Sequence, residues 1–230
     1  MNRLAIPAAA VVTALTMNFG PSASAHEAGD LFLRIGATQV APDESSSVIS
    51  TTATGPLAGT SVGVDNSTQL GLNLVWMWTD SIALELLAAT PFDHDLKASG
   101  LDQYGFSTTE LGSSKQLPPT LSALYFFGSS DSAIRPYIGA GINYTTFFSK
   151  DFTSQAATEL GANGLDLDDS WGFAGRAGID IELNDNWMLN ASVWTIDIDT
   201  DASFNSALGR VNAAVDIDPM VYMISLGYKF

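Results

Sequence analysis

The chain has 230 residues, 46% of them hydrophobic and 15% charged, with 25 Asp plus Glu against 9 Lys plus Arg and no cysteine. This composition excludes a disordered chain and a disulfide scaffold. A net charge of −16 excludes nucleic acid as a partner, because phosphate binding draws its affinity from Lys and Arg. Mean hydropathy is high at +0.16, yet beyond the first twenty residues no apolar stretch reaches the ~18 residues of a spanning helix. What remains is a soluble β domain with a greasy exterior, or a membrane β-barrel whose apolar residues alternate along strands.

Residues 1–25 read as a secretory signal peptide: Arg3, an apolar core from Leu4 to Met17, then Ala23-Ser24-Ala25 before the expected cleavage point. The core is too short to span a bilayer and is interrupted by Pro7. The expected organisation is a signal peptide over 1–25 and one domain over 26–230. Export to an oxidising compartment without cysteine means that no disulfide holds the fold.

Residues 31–40 form the first predicted strand. Alternation is clearest in the second, 69–78, where Leu70, Leu72, Leu74, Trp76 and Trp78 share one face and Gly71, Asn73, Val75 and Met77 the other. After Thr79-Asp80-Ser81, the third strand (82–89) puts Ile82, Leu84 and Leu86 on the apolar face and Glu85 and Leu87 opposite. A fourth covers 117–127. In the fifth, 134–148, Ile138, Ala140 and Ile142 oppose Arg135, Tyr137 and Asn143. The sixth (173–183) sets Phe173, Ala177, Ile179 and Ile181 against Arg176, Asp180 and Glu182; the seventh starts at Trp187, and the eighth (220–230) ends in the register of Tyr228 and Phe230. Short turns follow strands two, four and six, and long segments follow one, three, five and seven. That asymmetry predicts an all-β, eight-stranded antiparallel transmembrane barrel with short periplasmic turns and long extracellular loops. Closure leaves no unpaired edge in hydrocarbon.

A soluble barrel would hide its apolar face. Here the more polar face carries glycines and the charges Arg34, Glu85, Arg135, Arg176, Asp180 and Glu182, whereas the other carries Trp, Tyr and Leu at strand ends, as lipid-interface girdles do. Tyr228 and Phe230 resemble the C-terminal signal read by the barrel-assembly machinery.

The mature start His26-Glu27-Ala28-Gly29-Asp30 and the segments 66–72 (NSTQLGL), 85–92 (ELLAATPF), 117–121 (LPPTL), 135–148 (RPYIGAGINYTTFF), 169–172 (DSWG) and 192–200 (SVWTIDIDT) resemble the signatures of the outer membrane protein W (OmpW) family. The resemblance implies a protein of the Gram-negative outer membrane, with a largely apolar lumen and passive uptake of small hydrophobic molecules discussed as leaving sideways through the barrel wall. Some family members serve as colicin or phage receptors, so the alternative is a structural or receptor barrel with a plugged lumen. The resemblance also implies a constriction of Leu87 and Trp171. Leu87 fits the inward parity; Trp171 shares the parity of the outward Phe173, and would need a bulge near Gly172 to turn in.

Parity further places Phe32, Val75, Tyr137, Phe147 and Trp194 along the lumen. An eight-stranded barrel is just wide enough to be filled by side chains or to hold one small ligand. Opposite charges in so narrow a space are expected to pair and plug it, and Pro42, without an N–H, is a candidate point where strand pairing stops. Asp93-His94-Asp95 reads as a solvated loop, since three successive ligands on a strand cannot converge on a metal. The acids Asp166, Asp168, Asp169, Asp197, Asp199 and Asp201 lack the glycine-punctuated spacing of a calcium loop. No catalysis, cofactor or metal is expected. The expected partners are membrane lipids, the assembly machinery and small hydrophobic solutes, with colicin or phage under the alternative.

Overall fold

The computed structural model describes residues 26–230; the predicted signal peptide lies outside them. Eight strands form the barrel: β1 (Leu31–Ala41), β2 (Ser67–Met77), β3 (Ile82–Ala89), β4 (Thr120–Phe126), β5 (Ile134–Phe152), β6 (Ser170–Glu182), β7 (Trp187–Ile196) and β8 (Met220–Lys229). Each pairs antiparallel with its neighbours in sequence, and β1 closes on β8 from Phe32↔Lys229 to Ala41↔Met220. Turn chemistry fixes the tight ends. Thr79 Oγ1 accepts from the Ser81 and Ile82 N–H groups between β2 and β3, and Asn184 Oδ1 accepts from Asn186 and Trp187 between β6 and β7.

Burial alternates with the predicted parity. Leu74, Trp76, Leu84, Leu86, Ile138, Ile142, Ile224 and Leu226 stand exposed on the outer wall, while Phe32, Arg34, Asn73, Val75, Glu85 and Tyr137 are buried within. Aromatic rings collect at both rims. Trp187, Tyr228 and Phe230 form one chain of edge contacts at the turn end, and Tyr144 meets Trp171 near the other.

The barrel is taller than the sequence predicts. β5 runs for 19 residues, where a tilted crossing strand needs about 9–11; its upper half pairs with Glu110–Leu117, which pairs with Phe92–Ser99, and that in turn with Ser61–Val64. A second sheet of Asn163–Leu167, Asp199–Ser206 and Gly209–Asp216 carries short bridges from the segment after β1. The long loops therefore continue the wall beyond the membrane. β4 is shorter than predicted because Pro118 and Pro119 cannot donate to a ladder, which splits residues 110–126 into two strands. A short helix, α1 (Ser154–Glu159), is capped by Thr153 Oγ1, which accepts from the Ala156 N–H at 3.1 Å.

Candidate functional site

The lumen is layered. Nearest the turns, Phe32, Val75, Met77, Leu124, Phe126 and Tyr137 pack into an apolar base. Gly178, opposite Tyr137 across the β5–β6 ladder, leaves room for that ring: a Cβ there would lie 2.4 Å from it. His26 folds into this layer, its imidazole centroid 4.7 Å from Phe32 and 4.8 Å from Phe126. Sequence reasoning treated His26 only as a terminus; no spacing signal could have placed it.

Above lies the charged layer. Arg34 donates to Glu85 at 3.0 Å and to Asp180 at 2.5 Å; Arg176 pairs with the other oxygen of Glu85; and His26 Nε2 lies 3.1 Å from Asp180. Asn73 donates to Glu85 and Asn190 to Asp180, while Arg176 and Asn190 both donate to the Tyr137 hydroxyl. Two guanidiniums thus meet two carboxylates with every head group buried, an arrangement that compensates charge and leaves no ring of one sign for ions to follow. The expected pairing extends to four of the six predicted charges. Arg135 donates instead to the carbonyls of His26 and Asp80, and Glu182, at the turn end, makes no ion pair among the described residues with any of them.

Over this layer sits an apolar floor. Leu87, Phe92, Phe147, Trp194, Val221 and Met223 pack together there, and the Arg176 guanidinium lies 4.0 Å under the Trp194 ring. Leu87 is 4% exposed. Trp171 does not share the site: it is 73% exposed on the outer wall, and the β5–β6 ladder runs through Tyr144↔Trp171 and Asn143↔Gly172 without the bulge that would turn it inward. The tryptophan beside Leu87 is Trp194, which parity had placed in the lumen.

Above the floor a cavity of about 50 Å³ is lined by Val62, Leu96, Leu165, Ala202, Val215 and Ile217 among others, and a second of about 80 Å³ continues past Leu57, Leu101, Phe106, Leu160 and Leu208 toward the loop end. Ile49, Leu111, Phe204 and Val211 line both. His94 belongs to the lower cavity and corrects the loop expectation. It lies on the strand Phe92–Ser99, where alternation turns Asp93 and Asp95 to solvent and His94 inward. Its Nδ1–H donates to the Asp65 carbonyl at 2.6 Å, leaving Nε2 to accept from the Gln116 amide at 2.9 Å. Burial lowers its pKa against the opposing pull of Asp65, Asp93 and Asp95. On the outside, Asp197, Asp199 and Asp218 bring carboxylate oxygens within 4.8 Å of one another, and burial, with the neighbouring carboxylates, raises the Asp199 pKa from its ordinary value. Asp201 lies outside that group, and Asp166 pairs with Lys150 at 2.8 Å.

The wall beside the floor is interrupted. Pairing of β3 with β4 stops at Leu87↔Thr120 and resumes only at Phe92↔Gln116. The intervening stretches contain Pro91, Pro118 and Pro119, none of which has an N–H. Pro42 stands where the β1 ladder ends, one residue after Ala41↔Met220, but no comparable gap follows it, because Asp43 donates to the Ile217 carbonyl.

A closed eight-stranded meander with an apolar belt, rim aromatics and buried compensated charges defines a β-barrel of the Gram-negative outer membrane. By this architecture the tall loop end faces outward and the tight turns face the periplasm. The OmpW family model matches residues 27–230, and the chain belongs to that family. It is 44% identical to outer membrane protein W of Escherichia coli over the full length of both chains. Identity to outer membrane protein W of Vibrio cholerae is 45%, over 90% of this chain and 91% of the relative. The crystal structure of OprG from Pseudomonas aeruginosa, 43% identical, superposes with a TM-score of 0.85 over 90% of this chain and 98% of that one.

Proposed function

We propose that the barrel admits small hydrophobic molecules passively from outside, carries them down the apolar cavities to the floor at Leu87, Phe92 and Trp194, and releases them sideways into the membrane. The observation supporting this reading is the coincidence of three features: the apolar lining ends, the charged layer begins, and the ladder joining β3 to β4 is interrupted between Leu87 and Phe92. To go further down, an apolar solute at the floor would have to part buried ion pairs without replacing either partner, which costs far more than its own burial returns. The ladder gap beside it offers hydrocarbon. Phe32, Val75 and Tyr137 then belong to the sealed base rather than the path, and Phe147 and Trp194 to its floor. Nothing in this scheme needs a reacting group or a cofactor.

The competing reading is a plugged anchor whose loops receive colicin or phage, and the closed charged layer is its support. Uptake of a panel of hydrophobic compounds into proteoliposomes separates the two. Leu87→Asp, which sets a carboxylate in the floor, is expected to reduce uptake to the rate of protein-free liposomes, whereas Leu87→Ala leaves it unchanged or faster. Wild-type uptake by a folded Leu87→Asp barrel would remove Leu87 from the path and favour the anchor.

A further inference from the structure

Among the described residues, the lower cavity carries one polar side chain that makes no hydrogen bond at all. Four polar side chains line it: His94, Ser114, Gln116 and Thr200. Three are committed within the wall. His94 bonds both Asp65 and Gln116, Gln116 donates to His94, and Thr200 donates to the Asp168 carbonyl at 2.8 Å. Ser114 is the exception. It faces His94 directly across the ladder between Phe92–Ser99 and Glu110–Leu117, is 4% exposed, and its Oγ has no partner among the described residues.

A buried hydroxyl without a partner is costly in an apolar setting. Nothing that lines this cavity is charged, since the only titratable group, His94, is held neutral with Nδ1 donating and Nε2 accepting. A charged ligand would therefore lose its hydration for no compensating charge. A hydroxyl differs from other neutral groups in both donating and accepting, as Ser114 does. A space of about 50 Å³ exceeds the ~10–15 Å³ that one water needs, so it has room for a small head group with its first carbons.

We infer that Ser114, seated against the His94–Gln116 pair, is a selectivity point for neutral alcohols: molecules with one hydroxyl on an otherwise hydrocarbon body, favoured over hydrocarbons of the same size. This inference rests on the cavity being part of the proposed passage.

The test uses the full barrel in lipid nanodiscs and two photoreactive probes, an aliphatic diazirine ending in a hydroxyl and its twin ending in a methyl group, with labelled residues mapped by mass spectrometry. At equal free concentration the alcohol is expected to label cavity residues about threefold to tenfold more strongly, the ratio one net hydrogen bond supplies. Ser114→Ala should bring the ratio to one by weakening alcohol labelling while leaving the methyl probe unchanged, and Ser114→Thr, which restores a hydroxyl, should recover the preference. Equal labelling by both probes in wild type, or an unchanged ratio in Ser114→Ala, overturns the selectivity point and leaves the passage intact. Absence of cavity labelling by either probe overturns the passage itself, and the inference with it.

Discussion

Glu85→Gln isolates the energetics of the charged layer, because it removes one charge and almost no volume. Glu85 receives Arg34, Arg176 and Asn73 in a space closed to solvent, all three partners being 5% exposed or less. The layer balances two guanidiniums against two carboxylates; the substitution leaves a net positive charge with water excluded. Breaking a buried pair from one side costs about 3–5 kcal/mol, a large fraction of the ~5–15 kcal/mol that holds a typical domain. Urea unfolding in phospholipid vesicles, followed by tryptophan fluorescence, reads this directly. A second change, Arg176→Met, removes the excess charge and leaves Arg34 matched to Asp180. The double variant should therefore be more stable than the sum of the single losses by about 2 kcal/mol. A loss below ~1 kcal/mol for Glu85→Gln, or strictly additive losses, would mean that water screens the layer and that the lumen is hydrated at this height.

Leu74→Arg, on the outer face of β2 between Leu33 and Leu86, should cost about 2–4 kcal/mol near the bilayer midplane, while Thr68→Arg on the same face toward the loop end should cost ~0–1; equal losses would refute the assigned membrane depth. Deleting Phe230, whose N–H donates to the Leu31 carbonyl at 3.0 Å and whose ring packs on Tyr228, should lower the yield of heat-modifiable barrel in cells, and undiminished yield would refute the terminus as an assembly signal. Glu159 accepts from the Ser107 N–H and from the Ser107 and Thr108 hydroxyls, which lowers its pKa from 4.5 to about 2. Because the folded value is the lower one, its contribution to holding residues 107–108 is full above about pH 4.5 and is lost as pH falls through about 2. Hydrogen exchange there should be faster in Glu159→Gln than in wild type at pH 7, with the difference gone near pH 2.

The barrel was legible in the chain because a period of two is a local property. Leu70 to Trp78 and Met220 to Phe230 declare their faces without reference to any neighbour, and lipid outside leaves only closure to satisfy their backbones. The loop strands carried the same signal: Phe92, His94, Leu96 and Ala98 alternate, as do Val211, Ala213 and Val215. It was masked by the polar residues between them, which face water rather than lipid. Parity also placed Leu87 and Trp194 inside and flagged the difficulty with Trp171. What parity could not convey is height and azimuth. That Asn73 shares its layer with Arg34 and Glu85, and so is no permissive lumenal position, depends on strand stagger. So does the meeting of Pro91 with Pro118 and Pro119 beside the floor. Residues 91 and 118 sit at opposite ends of a long excursion, and only the β3–β4 register brings their missing donors to one place in the wall. The buried Ser114 belongs to the same class: its solvent-like composition hides an apolar setting created entirely by strands distant in sequence.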